Sequence, residues 1–218
     1  MLENRGKASV MIVDDHPLVR AGLAARISME SDLEVFGQAA SEAEALVLLR
    51  EGVPDLAVID VSLKDSSGLD LVRQIRQRAP AVRVLVISAF RELIYGERSL
   101  RAGALGYLNK QESDEKLVDA IHSVLKGRRF VSPSMTQRLV SQALDGAPDV
   151  NGVDRLTDRE LEVFRLIAEG YSSGTIANKL FISTHTVDTH RENIKRKLGT
   201  KNASELTRYA VQWLLENH

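Results

Sequence analysis

The sequence predicts an α/β fold, a doubly wound five-stranded parallel sheet, followed by an all-α domain of four helices. Three observations carry this prediction. Short apolar runs at Met11 to Val13, Leu56 to Ile59, Val84 to Ile87 and Leu105 to Leu108 alternate with helix-patterned segments between residues 8 and 126. Each of these runs ends at residues suited to holding a phosphoryl group: Asp14-Asp15, Asp60, Ser88 and Lys110. Beyond residue 153 the periodicity is helical throughout and no further strand is needed.

The elements follow in order. Pro17 stands where a first helical turn tolerates it, just past the first strand. Leu33 to Ala39 reads as the second strand, and Ser41 caps a helix carrying Ala43, Ala45, Leu46 and Leu49. The third, fourth and fifth strands are the remaining apolar runs, and Leu117, Ile121, Val124 and Leu125 stripe a fifth helix. Residues 127–152 change character, with Ser132-Pro133, Gly146, Pro148 and Gly152 around one helix at Ser134 to Leu144; they read as a linker. In the last domain, 153–218, Thr157 and Glu160 form a capping box before Leu161, Phe164 and Ile167, and Gly170 ends that helix. Ser172 or Ser173 starts a short helix, Ser183 caps a longer one from Thr184 to Leu198 closed by Gly199, and Ala203 to Leu215 is the fourth.

Composition narrows the function classes. The 218 residues are 44% hydrophobic, enough for two real cores. No apolar run approaches the roughly 18 residues of a spanning helix, and charged Met1 to Lys7 does not resemble a signal peptide, so a cytoplasmic location away from membranes is expected. The absence of cysteine excludes disulfides and thiolate chemistry. The 29 basic and 30 acidic residues nearly cancel, yet Arg191, Lys195, Arg196, Lys197 and Lys201 gather late in the chain.

In an open parallel sheet the carboxyl ends of the strands face one crevice, so the three acids, the hydroxyl and the amine are expected to converge. Carboxylates that close resist joint ionisation unless a cation offsets them, and Mg²⁺ suits an oxygen-only site that keeps waters. Lys110 could pair with one phosphoryl oxygen while Ser88 donates to another. Asp60, the lone acid at its strand end, is the candidate nucleophile. Taken singly, Asp14-Asp15 could be a solvated helix start, Ser88 a loop serine and Lys110 a surface lysine. Four coincidences at four strand ends make those readings poor.

These residues resemble the receiver domain of bacterial response regulators, a flavodoxin-like fold, from residue 9 to about 126. The resemblance implies phosphorylation at Asp60, direct metal contacts from Asp15 and Asp60, a water-mediated contact from Asp14 and a carbonyl contact from Ser62. It further implies phosphoryl contacts from Ser88 and Lys110, and a switch in which Tyr107 turns inward as Ser88 moves; the alternative for Tyr107 is a half-buried strand residue. One departure stands out: where the family often has Met-Pro three and four residues past the acceptor, this chain has Leu63-Lys64, which removes a backbone restraint. Phe90 is expected to flank the path of water to the phosphoryl group.

Residues 170–198 have the layout of a helix-turn-helix, whose second helix enters the major groove. Ile176, Ala177, Leu180, Ile182, Val187, Ile194 and Leu198 would lock the two helices together. The candidate DNA contacts on the longer helix are Thr184, Thr186, Asp188, Thr189, His190, Arg191, Glu192, Lys195 and Arg196. Intrahelical pairs of Asp188 with Arg191 and Glu192 with Arg196 are the competing reading. The stretch from about 153 to 215 resembles the LuxR-type DNA-binding domain, and the whole chain resembles a NarL/FixJ family transcriptional regulator. That implies a sensor histidine kinase, double-stranded promoter DNA and RNA polymerase as partners, a homodimer when active, and no catalysis beyond the receiver's own phosphorylation and dephosphorylation. Two alternatives remain open: a phosphatase-like enzyme with an aspartyl nucleophile, which would want an acid where Ser62 stands, and a DNA-binding regulator that ignores phosphate.

Overall fold

The computed structural model describes residues 6–63, 66–89, 92–112, 114–145 and 152–217. Two compact units divide the chain, Met1–Thr136 and Gln137–His218.

In the first unit the strands are β1 (Ala8–Val13), β2 (Leu33–Ala39), β3 (Leu56–Asp60), β4 (Arg83–Ser88) and β5 (Gly106–Asn109). They pair in parallel in the order β2-β1-β3-β4-β5. Five helices separate and follow them: α1 (Pro17–Ser28), α2 (Glu42–Glu51), α3 (Gly68–Arg78), α4 (Glu92–Ala102) and α5 (Asp114–Leu125). β3 and most of β1 are buried, as the uninterrupted apolar runs require of strands covered on both faces. Val10, Ile12, Val58, Leu85 and Ile87 meet Leu117, Ile121 and Val124 of α5 in one core. Strand order reverses between β1 and β3, so the ends carrying Asp14-Asp15 and Asp60 flank the topological switch point. The strands overrun or shift from their apolar runs: β1 starts at Ala8, β3 ends at Asp60, β4 extends to Arg83 and Ser88, and β5 is displaced to Gly106–Asn109.

The first residues of the expected linker are ordered against the first unit. Phe130 bridges Gly106 in parallel, accepting from Tyr107 N at 2.9 Å and donating to Leu105 O at 3.0 Å. Glu92 of α4 then accepts from Ser132 N at 2.8 Å, and Met135 is fully buried. Residues 130–135 are therefore packed against β5 and α4. A helix, α6 (Pro133–Asp145), follows; residues 146–151, including Gly146 and Pro148, lie outside the described residues.

The second unit holds a 3-10 turn (Gly152–Arg155) that the sequence pattern did not announce, then α7 (Asp158–Ala168), α8 (Ser173–Leu180), α9 (Thr184–Leu198) and α10 (Ala203–Asn217). Caps set the boundaries. The Thr157–Glu160 capping box is formed in both directions, Ser172 rather than Ser173 caps α8, and Ser183 caps α9. Phe181 adopts a left-handed backbone, φ 51°, to end α8, and Gly199 does the same for α9 at φ 69°, where a side chain would be strained. Phe164 anchors the core, its ring 5.4 Å from Trp213 and 6.0 Å from Tyr209 between centroids. Ile176, Ala177, Val187 and Ile194 are buried as expected; Leu180, Ile182 and Leu198 are half-buried.

Candidate functional site: an acid pocket and a recognition helix

The ends of β1, β3, β4 and β5 bring the predicted pocket together. Asp14 is fully buried and Asp60 is 3% exposed. Lys110, immediately past β5, places Nζ 2.7 Å from Asp14 Oδ2 and 2.7 Å from Asp60 Oδ2. Its hydrogen bond goes to Asp60. The same ammonium is shared with Asp14 Oδ2, and the buried Oδ1 of Asp15 receives no hydrogen bond. Two buried carboxylates sharing one ammonium, beside a third acid with a buried oxygen that receives no hydrogen bond, leave a demand for positive charge.

Electrostatics agree. Burial pushes the Asp60 carboxyl up from an ordinary 3.8 to about 6, against the pull of Lys110 and with a smaller push from Asp14. Burial disfavours the Lys110 ammonium, but Asp60 and Asp14 outweigh it and its pKa rises. The Ser62 backbone also hydrogen-bonds Asp60, which favours its ionised form. Ser88, fully buried at the end of β4, and Tyr107, 2% exposed on β5, share a side-chain hydrogen bond. The tyrosine is thus inward, not half-buried, and burial raises its hydroxyl pKa.

The β3–α3 turn lacks the proline but has other restraints. Ser62 and Ser67 form an antiparallel bridge, Gly68 N donates to Val61 O at 2.8 Å, and Leu63 is buried. Gly68 passes so close to the strand that a Cβ there would lie 1.8 Å from Asp60 O. Only glycine permits that approach. Lys64, Asp65 and Phe90 lie outside the described residues.

Sequence reasoning missed His16. Its ring nitrogen Nδ1 lies 2.7 Å from Asp15 Oδ1, and one ligand atom each from Asp14, Asp15, His16 and Asp60 fall within 4.8 Å of one another. The signal available was its place directly after the acid pair, yet a turn residue's side-chain direction is not set by strand periodicity.

In the second unit, α9 presents Thr184, Asp188, Thr189, Glu192 and Arg196 as exposed residues, with Thr186, His190, Arg191 and Lys195 half-buried. In place of the competing reading's pair of Glu192 with Arg196, Glu192 meets Lys195 at 2.7 Å and Arg196 donates to Asn193 Oδ1 at 2.9 Å. One turn offers i+3 and i+4 partners equally, so the spacing could not choose. Thr189 is bonded to the His185 carbonyl, and Thr186 shares its hydroxyl with the Ser183 cap. Burial, then the charge of Arg159, lowers the His190 pKa, against a smaller opposing pull from Glu160. Lys197 turns inward to Glu160.

Comparison with known proteins places these features. The response regulator receiver domain model matches residues 10–122, and the model for bacterial regulatory proteins of the luxR family matches residues 154–210. The chain is 34% identical over 209 residues to the Oxygen regulatory protein NreC of Staphylococcus carnosus (strain TM300), covering 93% of this chain and 96% of that protein. A two-component response regulator of the LuxR family from Aurantimonas sp. SI85-9A1 is 35% identical with a TM-score of 0.59, covering 64% of this chain and 99% of the other. RcsB from Salmonella enterica serovar Typhimurium, bound to promoter rprA in the presence of phosphomimetic BeF3-, is 25% identical with a TM-score of 0.66, covering 94% and 99%. A parallel receiver sheet with its acid pocket, joined to a helix-turn-helix, defines a two-component response regulator with a LuxR-type DNA-binding domain. The chain belongs to the NarL/FixJ family of these regulators. Among the described residues no helix is long and apolar enough to cross a membrane.

Proposed function

We propose that this chain is a transcriptional regulator switched by phosphorylation of Asp60. The observation that supports it most is the meeting of buried Asp14 and Asp60 on one half-buried lysine, Lys110, beside Asp15 with a buried oxygen that receives no hydrogen bond. In this reading an ionised Asp60 oxygen attacks the phosphorus of a phosphohistidine on a sensor kinase. The P–N bond breaks, the imidazole leaves with the electron pair, and an acyl phosphate remains. Asp15 and Asp60, with Asp14 through water and the Ser62 carbonyl, are the residues that would hold Mg²⁺, which supplies positive charge to the phosphoryl oxygens. Lys110, already 2.7 Å from Asp60, is placed to take another of those oxygens. Ser88 exchanges its Tyr107 partner for the phosphoryl group, which frees the tyrosine hydroxyl to signal.

The output is DNA binding by α9 in the major groove, with Thr184, Asp188, Arg191 and Glu192 toward bases and Lys195 and Arg196 toward phosphates. The similarity to RcsB, solved bound to promoter DNA, supports DNA binding as the output. The domains are the receiver at 8–126, a linker at 127–152 whose first residues dock on the receiver, and the DNA-binding domain at 153–218. The active form is a homodimer working in the cytoplasm, contacting RNA polymerase, and the receiver catalyses only its own phosphorylation and dephosphorylation.

A small phosphodonor with Mg²⁺ tests the reading. The parent protein should gain one covalent phosphate and bind DNA more tightly, whereas Asp60→Asn should gain none. Equal labelling of both proteins would remove Asp60 from its role, and unchanged DNA affinity after labelling would remove the switch.

A further inference from the structure

The phosphoryl chemistry leaves one ring in the pocket unused. His16 caps the start of α1 with an extended backbone, φ −87° and ψ 110°, as a residue before proline prefers. Its N–H donates to Asp14 Oδ1 at 2.8 Å, which anchors the backbone beside the carboxylates. From there Nδ1 stands 2.7 Å from Asp15 Oδ1 and 3.3 Å from Asp14 Oδ1. The side chain is 64% exposed, so turning into solvent would meet little obstruction. It stays over the acids all the same. Nor does the 2.7 Å approach satisfy a hydrogen bond, because Asp15 Oδ1 is buried and receives none.

These spacings have a simple reading. Two donor atoms, each about 2.1 Å from one ion and roughly at right angles, stand about 3 Å apart. A ring nitrogen and two carboxylates at 2.7 and 3.3 Å fit that separation, and Asp60 lies within the same cluster. Mg²⁺ takes oxygen and has little use for an imidazole, whereas zinc, nickel, copper and iron favour one. The buried Asp15 Oδ1, which receives no hydrogen bond, and the one ammonium shared by Asp14 and Asp60 point independently to a cation in the pocket.

We propose that His16 gives the pocket a second binding mode, in which Nδ1 joins Asp15 and Asp60 to hold a divalent transition-metal ion in competition with Mg²⁺. The inference rests on the reading of the pocket as a divalent-cation site. It adds to that reading a ligand of different chemistry and a consequence: an ion held through His16 occupies the oxygens that Mg²⁺ needs, so transition-metal level and phosphoryl acceptance oppose one another.

Calorimetric titration of the full, metal-free chain with Mg²⁺ and separately with Zn²⁺ tests this, using the parent, His16→Asn and Asp60→Asn. Imidazole ¹⁵N spectra of the parent give a direct view of the ring. His16→Asn should leave Mg²⁺ affinity within about twofold and weaken one Zn²⁺ site by at least about tenfold, the scale on which metal-site residues act. Asp60→Asn should weaken that same Zn²⁺ site, and the His16 Nδ1 resonance should move with Zn²⁺ but not with Mg²⁺. Zn²⁺ held by the other histidines persists in His16→Asn and is thereby subtracted. Mg²⁺ binding in the parent with Zn²⁺ binding indifferent to His16 would overturn the proposal and leave the Mg²⁺ reading standing. A Zn²⁺ site that needs His16 but not Asp60 lies elsewhere and overturns it too. Zn²⁺ binding that needs both residues, without any Mg²⁺ binding, would overturn the proposed competition and the Mg²⁺ reading together. If neither ion binds the parent, both fall.

Discussion

Each half of the molecule contains a lysine that crosses from one element to a buried carboxylate on another, and the two pairs have opposite character. Lys110 meets Asp60 and Asp14; Lys197 meets Glu160 at 2.5 Å. Glu160 also accepts from Thr157 N at 2.7 Å as part of the capping box. Burial would lift its pKa, but the Lys197 and Thr157 hydrogen bonds outweigh burial and the net shift is downward. Asp60 shifts upward because burial outweighs the pull of Lys110, with a smaller push from Asp14. A satisfied carboxylate stabilises the fold it sits in. A carboxylate whose burial outweighs its partners is one that an added cation would stabilise.

The sharpest way to break this comparison is to remove each lysine. Lys110→Met leaves Asp14 and Asp60 buried together with no cation, and should destabilise the receiver by about 3 kcal/mol, the cost of orphaning buried charge. Added Mg²⁺ should recover part of that loss. Lys197→Met should cost the DNA-binding unit about 1–2 kcal/mol, a charge-assisted hydrogen bond, with no response to Mg²⁺. Urea denaturation of the full chain, with Mg²⁺ or with chelator, measures both. Equal Mg²⁺ responses would erase the distinction between the pairs.

Neutralising the acids sharpens it through pH. Folded Asp60 keeps its proton up to about pH 6, whereas the unfolded chain releases it near 3.8. The native state therefore holds more protons across that window, and this group's contribution to stability falls as pH rises through it. In chelator, Asp60→Asn should stabilise the protein above pH 6 by about 1–3 kcal/mol, the gain fading toward pH 4. Glu160→Gln should act in the other direction. Its lowered pKa stabilises the fold above the ordinary 4.5 and that contribution is lost as pH falls through the depressed value, so the substitution should destabilise at neutral pH and matter least in acid.

The receiver pocket was legible in sequence because a strand end fixes where a residue goes. Asp14, Asp60, Ser88 and Lys110 each follow an apolar run, and parallel order brings those ends together without knowledge of any side-chain contact. What escaped depended on contacts remote in sequence or on turn geometry. Lys197 reads as one more member of a basic run until the fold brings Glu160, 37 residues away, against it. Phe130 makes a single bridge to Gly106, too short for any alternating pattern, so residues 130–135 read as linker although they dock on β5 and α4. His16 stands in a turn, where neither period applies.

The exposed face of α9 supplies the third and weakest kind of pair. Glu192 is 71% exposed and meets Lys195 across one helical turn. Surface pairs of this geometry contribute only about 0.2–0.5 kcal/mol, so Glu192→Gln should leave the denaturation midpoint of the DNA-binding unit nearly unchanged. If the carboxylate instead accepts from a cytosine N4 in the major groove, the same substitution should relax preference at one base position by about 1–3 kcal/mol. Binding to a randomised pool of sites separates the two roles. Relaxed preference at one position with an unchanged midpoint assigns Glu192 to base recognition. Unchanged preference confines it to the helix surface, and Lys195, released from its partner, should then bind phosphate a little more tightly at every sequence alike.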